Sequence, residues 1–379
     1  MRVLCLNAGS SSLKLALQSG EERLAQGAVE RIGLERGRLW LRGGTAALDR
    51  EVSAPDHAAA VQAALDALDA AGLRPQAVAH RLVHGGPLHH LPSLIDGALL
   101  DALRGLIDFA PLHLPAELAA IDAVSRRYPG LPQVACFDTH FHWELPEVAR
   151  RLPLPQQLCD QGVRRFGFHG LSYESVVSTL GAGQLGSAVI AHLGNGASLA
   201  AVRAGRPIET TMAFTPASGV MMGTRTGDVD PGVVFFLLAR GASPGEVERI
   251  VSRESGLLGV SGRSSDMREL LAARQGDPRA ALAVEMFCWS CRKAVGALAA
   301  ALGGLETLVF TGGIGENAAP VRAEICAGLA HLGVTLDAAA NEAGAARISA
   351  AGSRCAVRVV HTDEDLVIAR HALRLLGAA

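Results

Sequence analysis

The segment VLCLNAGSSSLKLAL, Val3–Leu17, holds two strand signals back to back. Val3-Leu4-Cys5-Leu6 is a short apolar run, the pattern of a buried strand. Leu13, Leu15 and Leu17 alternate with Lys14 and Ala16, as a half-buried strand does. Between them stands Asn7-Ala8-Gly9-Ser10-Ser11-Ser12, small and hydroxyl-rich. A turn with so little bulk lets another group approach backbone N–H donors. Lys14, just past it, adds a point charge. Taken alone, a Ser/Gly turn between strands is most often only a turn. The odds change at Ser187–Arg203, SAVIAHLGNGASLAAVR, which repeats the plan around Gly194-Asn195-Gly196. Two such hairpins half a chain apart predict two related halves, each offering a phosphate loop to a cleft between them.

The chain has 379 residues, which favours two domains over one. Hydrophobic residues make up 49% and charged residues 19%, so sizeable cores are possible and disorder is excluded. The net charge is −2, with no run of five like charges, so neither a nucleic acid nor a membrane surface is implied as partner. Lys14 and Lys293 are the only lysines, which sets Lys14 apart in its turn. The N-terminal apolar run stops at Asn7, too early for a secretion signal. No window approaches the ~18 apolar residues of a membrane helix. Seven scattered cysteines fit reduced thiols, hence a cytoplasmic location. Cys288-Trp289-Ser290-Cys291 is a lone CxxC within a helical pattern, read as buried helical thiols and not as a redox or zinc site.

Outward from the hairpins, strand and helix signals alternate. Asp56–Ala71 reads as a helix capped by Asp56, with Val61, Leu65 and Leu68 on one face. Ala77–Val83 reads as a strand running into the break His84-Gly85-Gly86-Pro87. Leu99–Phe109 is apolar at helical spacing, and Pro115–Tyr128 is a helix with Pro near its first position. Gln133–Phe137 is a strand that delivers Asp138 at its C-terminal end, where ligands collect in open α/β sheets. Asp230-Pro231 opens an apolar helix, and Pro278–Leu302 is a long Ala-rich one. Thr307–Phe310 is a strand feeding Thr311–Asn317, with a helix from about Ala319. Val357–Val360 is the last strand and Asp363–Leu376 the closing helix.

Several stretches carry chemistry. Arg81 sits at a strand end beside a glycine turn. Phe137–His142 offers Asp138 with His140 and His142, which would share a strand face; two imidazoles without a third ligand are weak evidence for a metal. Arg164–Gly170 places His169 between glycines. Gly223–Pro231 puts Arg225, Asp228 and Asp230 in a polar loop, a good functional position. Neither a Walker sequence nor a dinucleotide GxGxxG is present, so a nucleotide site needs another architecture.

The sequence resembles the acetate kinase family, within the acetate and sugar kinase, Hsp70 and actin superfamily. The motifs are LNAGSSSLK (6–14), HRLVHGG (80–86), APLH (110–113), FDTHFH (137–142), RRFGFHG (164–170), HLGNGAS (192–198), MMGTRTGDVDPG (221–232), SGLLGVSGRSSDMR (255–268), FTGGIGEN (310–317) and TDEDL (362–366). They run end to end in the family's order. The resemblance implies an α/β fold: two domains of duplicated ribonuclease-H-like, actin-like ATPase topology around a nucleotide cleft. The domains would be residues 1–139 with 365–379, and residues 140–364. It implies reversible phosphoryl transfer from ATP to acetate with Mg²⁺ (Mn²⁺ as substitute), giving ADP and acetyl phosphate, in a cytoplasmic homodimer.

By position, Asn7 and Glu364 match the family's magnesium-site residues and Lys14 an ATP contact. Arg81 matches the substrate-carboxylate arginine, with Val83 and Leu112 by the methyl pocket. Asp138 stands at the acid/base position, and His169 and Arg225 match transition-state stabilisers. The nucleotide-binding segments correspond to His192, Leu193, Gly194, Asn195 and Gly196; to Asp266, Met267 and Arg268; and to Gly313, Ile314, Gly315, Glu316 and Asn317. Acetate is already ionised at neutral pH. Asp138 is therefore expected to orient an arginine or the magnesium shell, not to remove a proton. The chain departs from the family at Leu114 (usually Asn), Thr226 (usually Ser) and Leu171-Ser172-Tyr173 (usually Thr-Ser-His). Those departures keep a propionate or other short-chain acyl kinase as the enzyme alternative. A non-catalytic nucleotide-binding regulator is the alternative of another class, and the retained Arg81, Asp138, His169 and Arg225 argue against it.

Overall fold

The first glycine-punctuated turn joins two antiparallel strands, β1 (Arg2–Ala8) and β2 (Ser12–Ser19), with Asn7 opposite Lys14. The computed structural model describes residues 1–9, 11–44, 46–111 and 113–378. It divides into two units, Met1–His140 with Asp363–Ala379, and Phe141–Thr362.

In the first unit, β3 (Glu22–Glu30), β4 (Gly37–Gly43) and β5 (Ala46–Val52) continue the antiparallel run from β2. On the other side of β1 lie β6 (Ala77–Leu82), parallel to it, and β8 (Gln133–Phe137), parallel to β6; β7 (Ser93–Leu94) closes that edge. The order is β5-β4-β3-β2-β1-β6-β8-β7. Leu4 and Leu6 pack with Val61, Leu65 and Leu68 of the helix His57–Ala70 and with Val124 of the helix Leu114–Arg127. Cys5, pointing the other way, donates from Sγ to the Asp365 carbonyl of the closing helix Glu364–Leu375. Both faces of β1 are covered, which is why its apolar run is unbroken.

The second unit repeats the plan. β9 (Ser187–Leu193) and β10 (Ala197–Arg203) form the second hairpin, and β11 (Arg206–Thr210) extends it. β12 (Thr307–Thr311) and β13 (Ala356–Val359) follow in parallel beyond β9. The order β11-β10-β9-β12-β13 matches β3-β2-β1-β6-β8 strand for strand. This is the duplicated ribonuclease-H-like topology. One face of the sheet packs on the helix Gly170–Leu180 through Tyr173 and Val176, and the long helix Pro278–Leu302 packs on β9 and β10.

Two expectations change, and one further segment takes a helical form. The apolar stretch from Leu99 to Phe109 breaks at Gly105 into a helix, Gly97–Arg104, and a 3-10 turn, Ile107–Phe109. His140 and His142 lie in a 3-10 turn, His140–Glu144, because β8 ends at Phe137; they do not share a strand face. Gly312–Asn317 is itself helical, entered through Gly312 at φ +76°, and a second helix, Ala319–Cys326, follows at once. Glu316 makes that short helix possible by folding back to accept from the Gly312 N–H at 3.0 Å.

Candidate active site

In the first unit, parallel pairing of β1, β6 and β8 brings three C-terminal strand ends into line. Asn7 is in register with Arg81, and the Asp138 N–H donates to the Leu82 carbonyl at 2.9 Å. Arg81 donates from Nε to Asp138 Oδ1 at 3.1 Å and from Nη2 to Asp138 Oδ2, and from Nη1 to Asn7 Oδ1 at 3.3 Å. Asp138 is 1% exposed. Burial opposes the Arg81 charge, but Asp138, Glu364 and Glu117 overcome it and raise its pKa above the ordinary value. Of five guanidinium N–H groups, Asp138 occupies two on the side-on edge and Asn7 one. Two N–H groups remain, one on each Nη, for a further acceptor. Lys14 is exposed at the start of β2 opposite Asn7, and Glu364 opens the closing helix. Val83 is buried. Leu112 lies outside the described residues.

Glu117 belongs to this cluster and sequence reasoning missed it. Its two carboxyl oxygens both accept from the Val83 N–H at 3.1 Å. Burial pushes its pKa up to about 8, against the pull of Arg81. A signal existed. Glu117 falls three residues after Leu114 and four before Ile121, on the apolar face of a helix where a charge is out of place.

In the second unit, a cavity of about 770 Å³ collects Gly194 and Asn195 from the hairpin turn, Asp266, Met267 and Arg268 from a helix start, and Gly313, Ile314 and Asn317 from the segment after β12. Asp266 caps the helix Met267–Ala273 by accepting from the Arg268 N–H and pairs with the Arg268 guanidinium, whose hydrogen bond lowers its pKa. The remaining members of these segments do not line the cavity. Leu193 and Gly315 are buried against the sheet. Glu316 is turned to Gly312 N–H and to His361 Nδ1, so its carboxylate shapes the backbone from behind.

Gly196 faces another group. A methyl built on it would stand 3.4 Å from His169 Nε2 and 3.5 Å from Arg225 Nη1, so both side chains converge over the turn. Arg225 donates from Nη1 to the Pro216 carbonyl at 3.0 Å. Asp228 accepts from the Gly219 N–H and Asp230 caps the helix Pro231–Ala239. His169 holds a left-handed backbone, φ +59°, at the head of the helix Gly170–Leu180. Such conformations are uncommon outside glycine and cluster at functional sites. Its ring stacks on His192 at 4.2 Å. Ser198 Oγ lies 2.9 Å from His169 Nδ1 and 2.5 Å from the Tyr173 hydroxyl, while Ser172 Oγ lies 2.8 Å from His192 Nδ1. Lone histidines offered no reason to expect this network from the sequence.

The model of the acetokinase family matches residues 2–370. The chain is 46% identical, over 391 aligned positions covering 98% of each chain, to an acetate kinase of Rhodopseudomonas palustris. Among solved structures, Porphyromonas gingivalis acetate kinase is similar with a TM-score of 0.88 at 39% identity, covering 99% of each chain. A propionate kinase from Francisella tularensis gives a TM-score of 0.92 at 34% identity, covering 98% of each.

Proposed function

The chain belongs to the acetokinase family, and on that premise we propose that it is an acetate kinase, transferring the γ-phosphoryl group of ATP reversibly to acetate. An acetate oxygen attacks the γ-phosphorus as its bond to the β–γ bridging oxygen breaks, that oxygen leaving with ADP. The products are acetyl phosphate and ADP. No proton need move, because acetate arrives ionised.

The observation that carries this reading is the side-on clamp of Asp138 on Arg81. It fixes the guanidinium plane and leaves the end-on edge for the acetate carboxylate, with Val83 beside the methyl group. Leu112 is assigned to the same pocket from the resemblance alone. Asp138 then orients Arg81 and is not a base. Lys14 serves the ATP phosphates. In the second unit the cavity at Asn195, Asp266 and Ile314 takes the nucleoside, and His192 supports His169 by stacking. His169 and Arg225 donate to the equatorial oxygens of the moving phosphoryl group, where positioning and charge stabilisation do most of the work.

Asn7 and Glu364 supply hard oxygen donors, the chemistry that suits Mg²⁺ or Mn²⁺. Glu364 acts electrostatically on Arg81, so its charge is felt at the strand ends where Asn7 sits. A metal held there would offset phosphate charge. We also read the enzyme as a cytoplasmic homodimer. The seven cysteines are free thiols, and the helix Pro231–Ala239 buries none of its apolar side chains in the protomer. No helix among the described residues is long and apolar enough to cross a membrane.

A hydroxamate assay of acyl phosphate formation with Mg·ATP and acids of increasing length tests the assignment. Acetate should be preferred, propionate used more weakly and butyrate poorly. An apolar pocket discriminates only about 10–200-fold per methylene, so propionate should not be excluded. The propionate kinase likeness makes that second acid the one to watch. Turnover of butyrate equal to acetate would overturn the assignment.

A further inference from the structure

We propose that Tyr173 and Ser198 are positioning residues that hold His169 in the tautomer carrying its proton on Nε2. The inference rests on the reading of His169 as a donor to the transferring phosphoryl group. The local fold sets the three side chains in a row. His169 heads the helix Gly170–Leu180, and Tyr173, four residues on, shares its face. Ser198 lies on β10 opposite His192, facing the same helix. Tyr173 and Ser198 are both 0% exposed.

The direction of the hydrogen bonds follows from the groups. Ser198 Oγ has one hydrogen and lies 2.5 Å from the Tyr173 hydroxyl and 2.9 Å from His169 Nδ1. A phenol is a far stronger acid than an aliphatic alcohol, so Tyr173 donates and Ser198 accepts. The single Ser198 hydrogen is then directed at His169 Nδ1, which must offer its lone pair. The imidazole proton is left on Nε2, the nitrogen that converges with Arg225 Nη1 over Gly196. The reverse tautomer would point a lone pair, not a donor, at the same place. Which nitrogen carries the proton is set by the bond the other one makes. A donor at Nε2 therefore requires an acceptor at Nδ1, and the two hydroxyls enforce one.

The test uses full-length enzyme labelled with ¹⁵N-histidine. Two-bond ¹H–¹⁵N spectra distinguish the tautomers directly, and comparison with His169→Gln assigns the signals. The wild-type protein should show His169 protonated at Nε2 and bare at Nδ1. Tyr173→Phe keeps the ring and removes the hydroxyl. It should yield a tautomer mixture and lower kcat by about 10-fold, the low end of what losing the orienting partner of a metal-ligating histidine costs. KM for acetate and ATP should stay within about twofold, because the phenol touches neither in this reading. A wild-type His169 protonated at Nδ1 overturns the proposal without any variant. An unchanged tautomer in a folded Tyr173→Phe overturns the part of Tyr173. If His169→Gln keeps full activity, the catalytic reading of His169 falls, and the wild-type spectrum still decides on the relay.

Discussion

Arg81 and Arg225 look alike in the sequence, but their surroundings separate them. Arg81 is clamped side-on by Asp138 before any substrate arrives, whereas Arg225 donates to the Pro216 carbonyl and lies against Met222 Sδ beside Gly196. Loss of a ground-state contact raises KM; loss of a contact made only in the transition state lowers kcat. Arg81→Ala should raise KM for acetate, with some loss of kcat from poor alignment. Arg225→Ala should lower kcat by on the order of 10³-fold, as removing an arginine finger does. Lysine should rescue either site only in part, lacking the planar fork. Measuring kcat and Tm on one preparation separates this from an Arg225 that only braces its loop, which would lower Tm and leave kcat alone. Glu117 gives a different signature. Its carboxyl holds a proton up to about pH 8 in the folded state, while the unfolded chain releases it near 4.5. Between those values the folded state binds more protons, so stability is fullest below about 4.5 and falls as pH rises through 8. Glu117→Gln should flatten that decline in a thermal-melt series from pH 5 to 8.5; an identical slope in both proteins would refute it. Arg81 and Asp138 are legible in the sequence because each stands at a strand end before a break. Glu117 stands at no strand end or break, and only its place between Leu114 and Ile121 on the apolar helix face marks it.

The hairpin turn depends on glycines at close quarters. The Gly223 N–H donates to the Asn195 carbonyl at 3.0 Å, and a methyl on Gly223 would lie 2.0 Å from Asn195 Oδ1. Gly223→Ala should therefore push Asn195 aside and weaken ADP binding. Calorimetry would show at least a several-fold rise in Kd, and an unaltered Kd would show that the turn is not part of the nucleotide site. At this scale the sequence was most informative where one period dominates. Pro278–Leu302 begins and ends where its pattern does, and both hairpins are strand-turn-strand as read. It was least informative for β3 to β5. Their Leu39 and Leu41 alternate correctly with Arg38 and Arg42, but the run is short and closed by glycines. The helix Gly312–Asn317 was hidden because its N-terminus is capped from within, by a glutamate four residues further along.

Two sheets of matching strand order are the strongest statement of duplication, and the echo of the two hairpins was enough to anticipate it. The proposed homodimer can be tested on one helix. Phe235 and Phe236 are 66% and 57% exposed on a helix with no buried residue, a large apolar payload for a surface. Phe235→Asp should shift the enzyme from dimer to monomer in light scattering, and a dimer of unchanged affinity would place the contact elsewhere. The route of the chain has one more consequence. The first unit's sheet is covered on its Cys5 and Cys136 face by residues 364–375, which follow the whole second unit. A ribosome adding about 5–20 residues per second needs on the order of 10–40 s to make the roughly 220 residues in between. During that interval the nascent first unit carries an uncovered apolar face, while the second unit, Phe141–Thr362, emerges as one continuous stretch. The unit encoded first is thus the last to receive all of its chain. A circular permutant that places 363–379 ahead of Met1 would remove the wait.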